Sequence, residues 1–390
     1  MMAETIDLVS NSDADNGSAL ESESETQSEQ RVDAPLRIAV VGCGWWATTA
    51  HLPVIVAHAD ANLVGLVDSD DERLRRAAEA FGGPPQFADV TTMLEAVHPE
   101  IVVIASSPSS HFSIAKEALL SGANVLVEKP MVLSPHEARE LVDLAKKLKT
   151  ALVVGYPYHY NPQAALIRSQ LAQGVIGNLE LVTVLFASVV REFYAGRPSA
   201  YREAFGFGMT EPLEATYSDP ALAGGGQGQT QVTHAAALLL WLTGSKINAV
   251  SAFMSSSGLK VDLSDAATIT LDSGAIGVIA STGGVVQERP EILEYRFFGT
   301  EGHIVWDVYG ESGAISTRSG VSLIEELEPM GGYPMGAPVR NLIDLARGRG
   351  DNHSPGELGL QIVEFLDAMY RSAETGQTIT VERTEHRNSP

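Results

Sequence analysis

The pattern of apolar and polar positions divides the chain into two halves of different rhythm. From about residue 36 to 155, short apolar runs alternate with amphipathic stretches. Ile38–Val41, Ala61–Val67, Gln86–Phe87, Ile101–Ala105, Asn124–Val127 and Thr150–Gly155 read as strands. Helical spacing fills the gaps: a stretch through Ala57, then Asp71–Phe81, Val90–Val97, a stretch ending at Ser121-Gly122, and Ser134–Leu148. Ser134 suits an N-cap, with Pro135 at the first helical position. The strand runs are continuously apolar rather than alternating, as expected of parallel strands covered on both faces. Alternation of this kind specifies a doubly wound α/β parallel sheet.

Beyond Leu179 strands follow strands: Glu180–Val190, Ile247–Ser255, Ala267–Leu271, Ala275–Ser281, Ile292–Phe298 and His303–Val308. Turn signals such as Asp272-Ser273-Gly274 separate them, which predicts an α+β domain with a large, mostly antiparallel sheet. Val339–Arg347 and Glu357–Ala373 read as closing helices. The expected domains are 36–155 and 156–383, with the helix at about 357–373 packing back on the first.

Composition narrows the classes. At 390 residues and 44% hydrophobic the chain can bury large cores. A net charge of -23 argues against nucleic acid, which needs clustered Lys and Arg, and no apolar run is long enough to span a bilayer. The single cysteine, Cys43, rules out a disulfide framework, and no convincing metal-ligand set is visible. Residues 1–35 hold nine acidic side chains against one arginine and few apolar ones, so a disordered acidic tail is expected. The start lacks the basic and apolar segments of a secretory signal, which points to the cytoplasm.

The chemistry begins where the first strand breaks at Gly42-Cys43-Gly44-Trp45-Trp46-Ala47. Glycines at 42 and 44 permit a sharp turn and close approach of a pyrophosphate, and Ala47 lets helix and strand pack closely. By itself the pattern fits an ordinary turn equally well; the context favours a dinucleotide. The second strand ends about twenty residues on at Asp68, where a carboxylate binds the adenosine ribose diol of NAD. Asp70 and Asp71 follow, and Arg73 lies inside the next helix, so a 2'-phosphate would meet three carboxylates and no adjacent fork of donors. Ser106-Ser107-Pro108 with His111, and Glu128-Lys129-Pro130, stand at the ends of the next two strands, where ligands to such sheets bind.

In the second half, Gly224-Gly225-Gly226 leads into an apolar helix whose opening carries Gln227, Thr230, Gln231 and His234, three and four apart on one polar face. That suits a pocket rim. Tyr156, Tyr158 and His159 form an aromatic run that serves either as a wall for stacking on a sugar ring or as packing at the domain junction.

With Glu128-Lys129-Pro130 after a buried strand, and the three glycines followed by His234, the sequence resembles the Gfo/Idh/MocA family of oxidoreductases over about 36–381. The resemblance implies a Rossmann domain for NAD and a substrate domain whose sheet forms a homodimer or homotetramer interface. It places Lys129 beside the nicotinamide and the substrate hydroxyl, with Ser107, Pro108 and His111 lining the nicotinamide side. It implies a sugar, glycoside or cyclitol substrate oxidised at a secondary hydroxyl, such as C3 of a pyranoside. Two departures stand out: the family's aspartate one turn before the histidine is Thr230 here, and the arginine often found near 158–159 is replaced by the aromatic run. The expected catalytic set is therefore Lys129 as electrostatic partner and His234 as base, with Thr230 and Gln231 orienting. Transient oxidation during glycoside cleavage, or a non-catalytic dinucleotide-binding regulator, are the alternative functions.

Overall fold

The computed structural model describes residues 34–310, 312–325 and 333–381; the acidic tail up to residue 33 and the chain end beyond 381 lie outside the described residues. A six-stranded, wholly parallel sheet is built from β1 (Leu36–Val41), β2 (Ala61–Val67), β3 (Gln86–Phe87), β4 (Ile101–Ile104), β5 (Asn124–Val127) and β6 (Leu152–Val154), in the order 3-2-1-4-5-6. That order reverses direction between β1 and β4, which opens a crevice at their carboxyl ends. Alternate residues of each strand enter different cores. Ile38, Val40, Ile101, Val103, Leu126 and Val153 face one way, and Ala39, Val41, Val102, Ile104, Val125 and Val127 the other. Both faces are dry, which explains the unbroken apolar runs.

Two C-terminal helices help close these faces. Ala337–Ala346 brings Val339, Leu342 and Ile343 into the first core. Gly356–Thr375 packs in the second core, and its Glu364 pairs with Arg139 at 2.8 Å on the helix Pro135–Leu148. Ser134 stands at the N-cap of that helix, but its side chain makes no capping bond.

The second sheet has nine strands. It comprises β7 (Leu179–Ala187), β8 (Ile247–Ser255), β9 (Ser264–Leu271), β10 (Ile276–Thr282), β11 (Ile292–Gly299), β12 (Gly302–Asp307), β13 (Ser312–Thr317), β14 (Gly320–Ile324) and β15 (Ile379–Thr380), in the order 14-13-12-11-7-10-9-8-15. Only β7 and β10 run parallel. Its strands alternate buried and exposed positions, as in β9, because helices cover one face alone. The helix Thr233–Thr243, buried along nearly its whole length, is part of the core beneath that covered face. The hairpin β13–β14 and the helix Pro162–Ala172 were not expected from the pattern. The former is rich in Ser, Thr and Gly with little apolar signal, and the latter lacks a clear apolar face. No helix among the described residues is long and apolar enough to cross a membrane.

Candidate active site

At the switch point, Gly42 adopts φ 90° and donates its N–H to Val67 O at 2.8 Å. A Cβ there would lie 2.6 Å from the Ser106 nitrogen, so only glycine lets β1 turn against the end of β4. Gly44 has no heavy atom within 4 Å of where a Cβ would stand, leaving room for the backbone to be approached, and Ala47 is wholly buried against the sheet. The Cys43 N–H donates to Asp68 Oδ2 at 2.7 Å. Burial, and then the charge of Asp68, push the Cys43 thiol up to about 12, so it stays protonated at neutral pH. These residues fit a dinucleotide.

Asp68 is more heavily engaged than expected. Besides the Cys43 amide it accepts Asp70 N–H at 2.9 Å and a two-pronged contact from Arg73, at 2.9 Å from Nε and 2.6 Å from Nη2. Burial favours its neutral form, but the Arg73 guanidinium and the two amides hold its carboxyl below the usual range. The expectation that no donor fork adjoins Asp68 is therefore corrected. Helical spacing turns Arg73 back toward the strand end, and its fork is spent on Asp68.

The other end of the crevice gathers Glu128, Lys129, His111 and the helix bearing His234. After the glycine turn the backbone winds as a wide π-type turn, Ala47–His51, that points His51 inward. Trp46 Nε1 and His51 Nε2 both donate to Glu128 Oε1, at 2.8 and 2.9 Å, and the Lys129 amide reaches Oε2 at 3.2 Å. A Cβ on Gly155 would lie 2.5 Å from Oε1, so only glycine there leaves space for this carboxylate. Lys129, half-buried, donates from Nζ to Thr230 O at 3.1 Å. His111 is wholly buried, with Nδ1 2.9 Å from Pro130 O and Nε2 3.0 Å from Ser106 O, and the single N–H of the neutral ring donates to one of these carbonyls. It ties the loop after β4 to the turn carrying Lys129 rather than exposing a ring edge to the crevice. Ser106 bonds Ser110 across 2.8 Å, and Ser107 and Pro108, half-buried, open the helix Pro108–Leu120.

The three glycines owe their place to packing. A Cβ on Gly225 would stand 2.1 Å from the Tyr370 hydroxyl, and one on Gly226 would stand 1.9 Å from Asp262 O. Asp262 accepts the N–H groups of Gly226 at 2.8 Å and Gly228 at 2.7 Å and thereby holds the start of the helix. Here again the first turn is π-type, Gly228–Val232, so the expected polar face is dispersed. Gln227 turns inward to Ser281 at 2.8 Å and accepts from Tyr194 at 2.9 Å, and the Thr230 hydroxyl bonds Gly226 O and Tyr194. Gln231 is left half-exposed.

His234 sits edge-on to the rings of Tyr156, Tyr158 and Tyr333, at 5.8, 5.5 and 6.2 Å between centroids. Its Nδ1 has no hydrogen-bond partner among the described residues. Burial, and then the nearby Lys129 charge, lower its pKa well below the ordinary value, so the imidazole is neutral at neutral pH. Burial likewise lowers the Lys129 pKa, opposed by the Glu128 charge.

The aromatic run resolves into packing around His234. Tyr156 bonds Thr233 Oγ1 at 3.1 Å and Tyr158 bonds Tyr309, both rings being buried. The His159 ring stacks on Trp241 at 5.3 Å and bonds His353 O at 3.1 Å, 1% exposed. It is a core residue and not part of a substrate wall; burial holds its pKa down to about 3. Trp45 packs against Phe193, Phe205 and Phe207, with ring centroids 5.2–6.1 Å apart. His51, Tyr194 and Tyr333 were missed. A polar His51 within a small-residue helix start was the one signal on offer, whereas the tyrosines sit in segments with no periodicity. Among the described residues no cluster of His, Cys, Asp and Glu is placed to hold a metal ion.

Residues 36–156 match an oxidoreductase family with an NAD-binding Rossmann fold, and 165–305 match a GFO/IDH/MocA C-terminal domain. The chain is 31% identical over 150 residues to D-glucoside 3-dehydrogenase of Escherichia coli strain K12, covering 38% of this chain and 43% of that protein. Matches of this kind thus span less than half the length of such curated relatives. Over 90% of the chain and 97% of the other, it is similar to GenD2 from gentamicin A biosynthesis in complex with NAD, with a TM-score of 0.74 and 26% identity. Similarity to the WlbA dehydrogenase from Bordetella pertussis in complex with NADH and UDP-GlcNAcA reaches a TM-score of 0.71 at 25% identity, over 90% and 100% of the two chains.

Proposed function

The chain belongs to the Gfo/Idh/MocA family of NAD-binding oxidoreductases, and from that premise we propose that it transfers hydride between NAD and a secondary hydroxyl of a sugar, glycoside or cyclitol. A C3 hydroxyl of a pyranoside is the favoured position, in keeping with the relative named D-glucoside 3-dehydrogenase. The observation that carries the reading is the meeting of Lys129 with the His234 helix. The Lys129 ammonium reaches Thr230 O at 3.1 Å, one turn before a neutral imidazole with an unpaired nitrogen.

Bound NAD supplies the acceptor for hydride. Lys129 donates a hydrogen bond to the substrate oxygen and stabilises the alkoxide that develops as the C–H bond breaks. His234 takes the hydroxyl proton, so the net change is alcohol to ketone with one hydride and one proton removed. Gln231, half-exposed in the turn before His234, orients the substrate, and Thr230, bonded to Tyr194, fixes the turn that holds His234. The cofactor is held by Gly42, Gly44 and Asp68 at its adenosine end and by the Ser106–Pro108 loop and Glu128-Lys129 at the other. The bare face of the nine-stranded sheet exposes Leu185, Ile276, Val278 and Ile292, and we assign it to a second copy of the chain.

Incubating the protein with NAD and a panel of cyclic polyols and glycosides tests the reading, with NADH formation and keto-sugar analysis as readouts. A released aglycone with unchanged cofactor would assign it to glycoside cleavage instead. Tight NAD binding without turnover across the panel would make it a regulator.

A further inference from the structure

We propose that His51 and Trp46 are positioning residues for the reaction: by fixing the Glu128 carboxylate next to Lys129, they keep the Lys129 side chain cationic. The proposal deepens the functional reading above and rests on it. Glu128 is only 7% exposed, and His51 is wholly buried. A carboxylate in such a place protonates unless donors satisfy it. Here two side-chain N–H groups converge on Oε1, and the Lys129 amide takes Oε2. Gly155 gives the carboxylate its space, since a Cβ there would lie 2.5 Å from Oε1. Burial would raise the Glu128 pKa, but the His51 bond, the His51 and Lys129 charges and the Trp46 bond outweigh it and hold the carboxyl below its ordinary range.

The groups that feel the Glu128 charge come from several elements: Lys129 beside it, His51, His111, and the hydroxyls of Tyr156, Tyr217 and Tyr333. Facing Lys129 are Glu128 and His234. Burial lowers the pKa of both His111 and His234, so at neutral pH neither adds a second cation near Lys129. Glu128 is therefore the only anion in this set. Without its charge, burial alone governs the ammonium, which is lost at lower pH.

The test uses the full-length, NAD-loaded protein and reads Lys129 directly. Acetylation by acetic anhydride is followed by peptide mass spectrometry as a function of pH. Glu128→Gln keeps a carbonyl oxygen for Trp46 and His51 but removes the charge, and should move the half-labelling pH of Lys129 downward by about one unit or more. His51→Leu should move it in the same direction. His51→Gln, whose amide can donate to Oε1, should stay within a few tenths of a unit of the parent. Where a carbohydrate is turned over, the alkaline fall of kcat should shift down in step. An unchanged half-labelling pH in both Glu128→Gln and His51→Leu, with NAD affinity retained, overturns the proposal. Should Glu128→Gln fail to fold, His51→Leu combined with Trp46→Phe decides it by the same readout. Labelling that shifts as stated in a protein that oxidises no carbohydrate sinks the functional reading, and with it the role in that reaction, while the hold of His51 and Glu128 on the Lys129 charge stands.

Discussion

Two carboxylates at opposite ends of one crevice, Asp68 and Glu128, share the same 7% exposure and terminate neighbouring regions of one parallel sheet. Donors hold both ionised against burial. Their company differs. Asp68 meets its own counter-ion, because the Arg73 fork closes on it in addition to two backbone amides. Glu128 is held by an indole, an imidazole and one amide, while the adjacent ammonium reaches away to Thr230 O. A charge neutralised locally serves binding, whereas a charge left over acts on its neighbour. The adenosine end is thus built to be satisfied in the ground state, and the other end is built with charge and an unpaired imidazole in reserve.

The sharpest way to break the contrast is to remove the reserve. His234→Ala is expected to lower turnover by roughly the hundred- to ten-thousandfold typical of a lost general base. Lys129→Ala should lower it by about a hundred- to a thousandfold. In both, NAD affinity by titration should change far less, because the groups act on charge that develops in the transition state. The pH profile carries a further signature. A base must be neutral to act, so activity falls as pH drops through its pKa, and for His234 that lies well below 6.5. The parent should therefore show a flat rate across neutral pH. A parent profile that already falls near pH 6.5 would show that His234 is not the base or is not buried in the working enzyme.

A smaller effect is expected at the satisfied end. Four donors fill the lone-pair directions of Asp68, so a ribose diol must share them with Arg73. Asp68→Ser removes the ribose acceptor and frees the guanidinium, which matches a 2'-phosphate in geometry and charge. NAD should bind more weakly, and NADP more tightly by about tenfold. Adding Arg73→Gln should cancel the gain. Equal NADP affinity in the single and double variants would show that Arg73 does not reach the phosphate.

The same contrast governs what the sequence made legible. The parallel sheet could be read almost element by element, because dry faces on both sides impose continuous apolar runs and each strand end carries its ligand residues. Gly42, Asp68 and Lys129 stand at such ends. The second half was harder. Its helix-opening polar face assumed regular winding, and the π-type turn at Gly228–Val232 sent Gln227 and Thr230 into a buried network with Tyr194. The π-type turn at Ala47–His51 likewise delivered His51 to Glu128. His159 fell within an aromatic run suggestive of a pocket, but its ring is taken by Trp241. Local irregularity and long-range stacking of this kind leave no periodic trace in a sequence.

A third carboxylate sharpens the comparison by lacking donors altogether. Asp265 points inward from the alternating strand β9, is 4% exposed, and neither oxygen finds a hydrogen-bond donor among the described residues. Its neighbour Asp262, by contrast, is fixed by the amides of Gly226 and Gly228 and the Tyr370 hydroxyl. Burial first, and then the Asp262 charge, push Asp265 up to about 9. In the unfolded chain the same group titrates near the ordinary value of about 3.9. Between those values Asp265 binds a proton in the folded protein that it does not bind in the unfolded chain, so its contribution to stability falls as pH rises from about 4 to about 9 and then levels off. Asp265→Asn removes this slope. The melting temperature of the variant relative to the parent should climb with pH by a few degrees, most of it before about pH 9. Glu128→Gln should behave in the opposite sense: the Glu128 pKa is depressed, so its stabilisation is present above about pH 4.3 and is missing from the variant at neutral pH. Thermal melts of the three proteins across this range check both signs. A constant offset between parent and Asp265→Asn at every pH would mean that Asp265 is already ionised at neutral pH, and that burial beside a fixed like charge is not enough here to hold a proton.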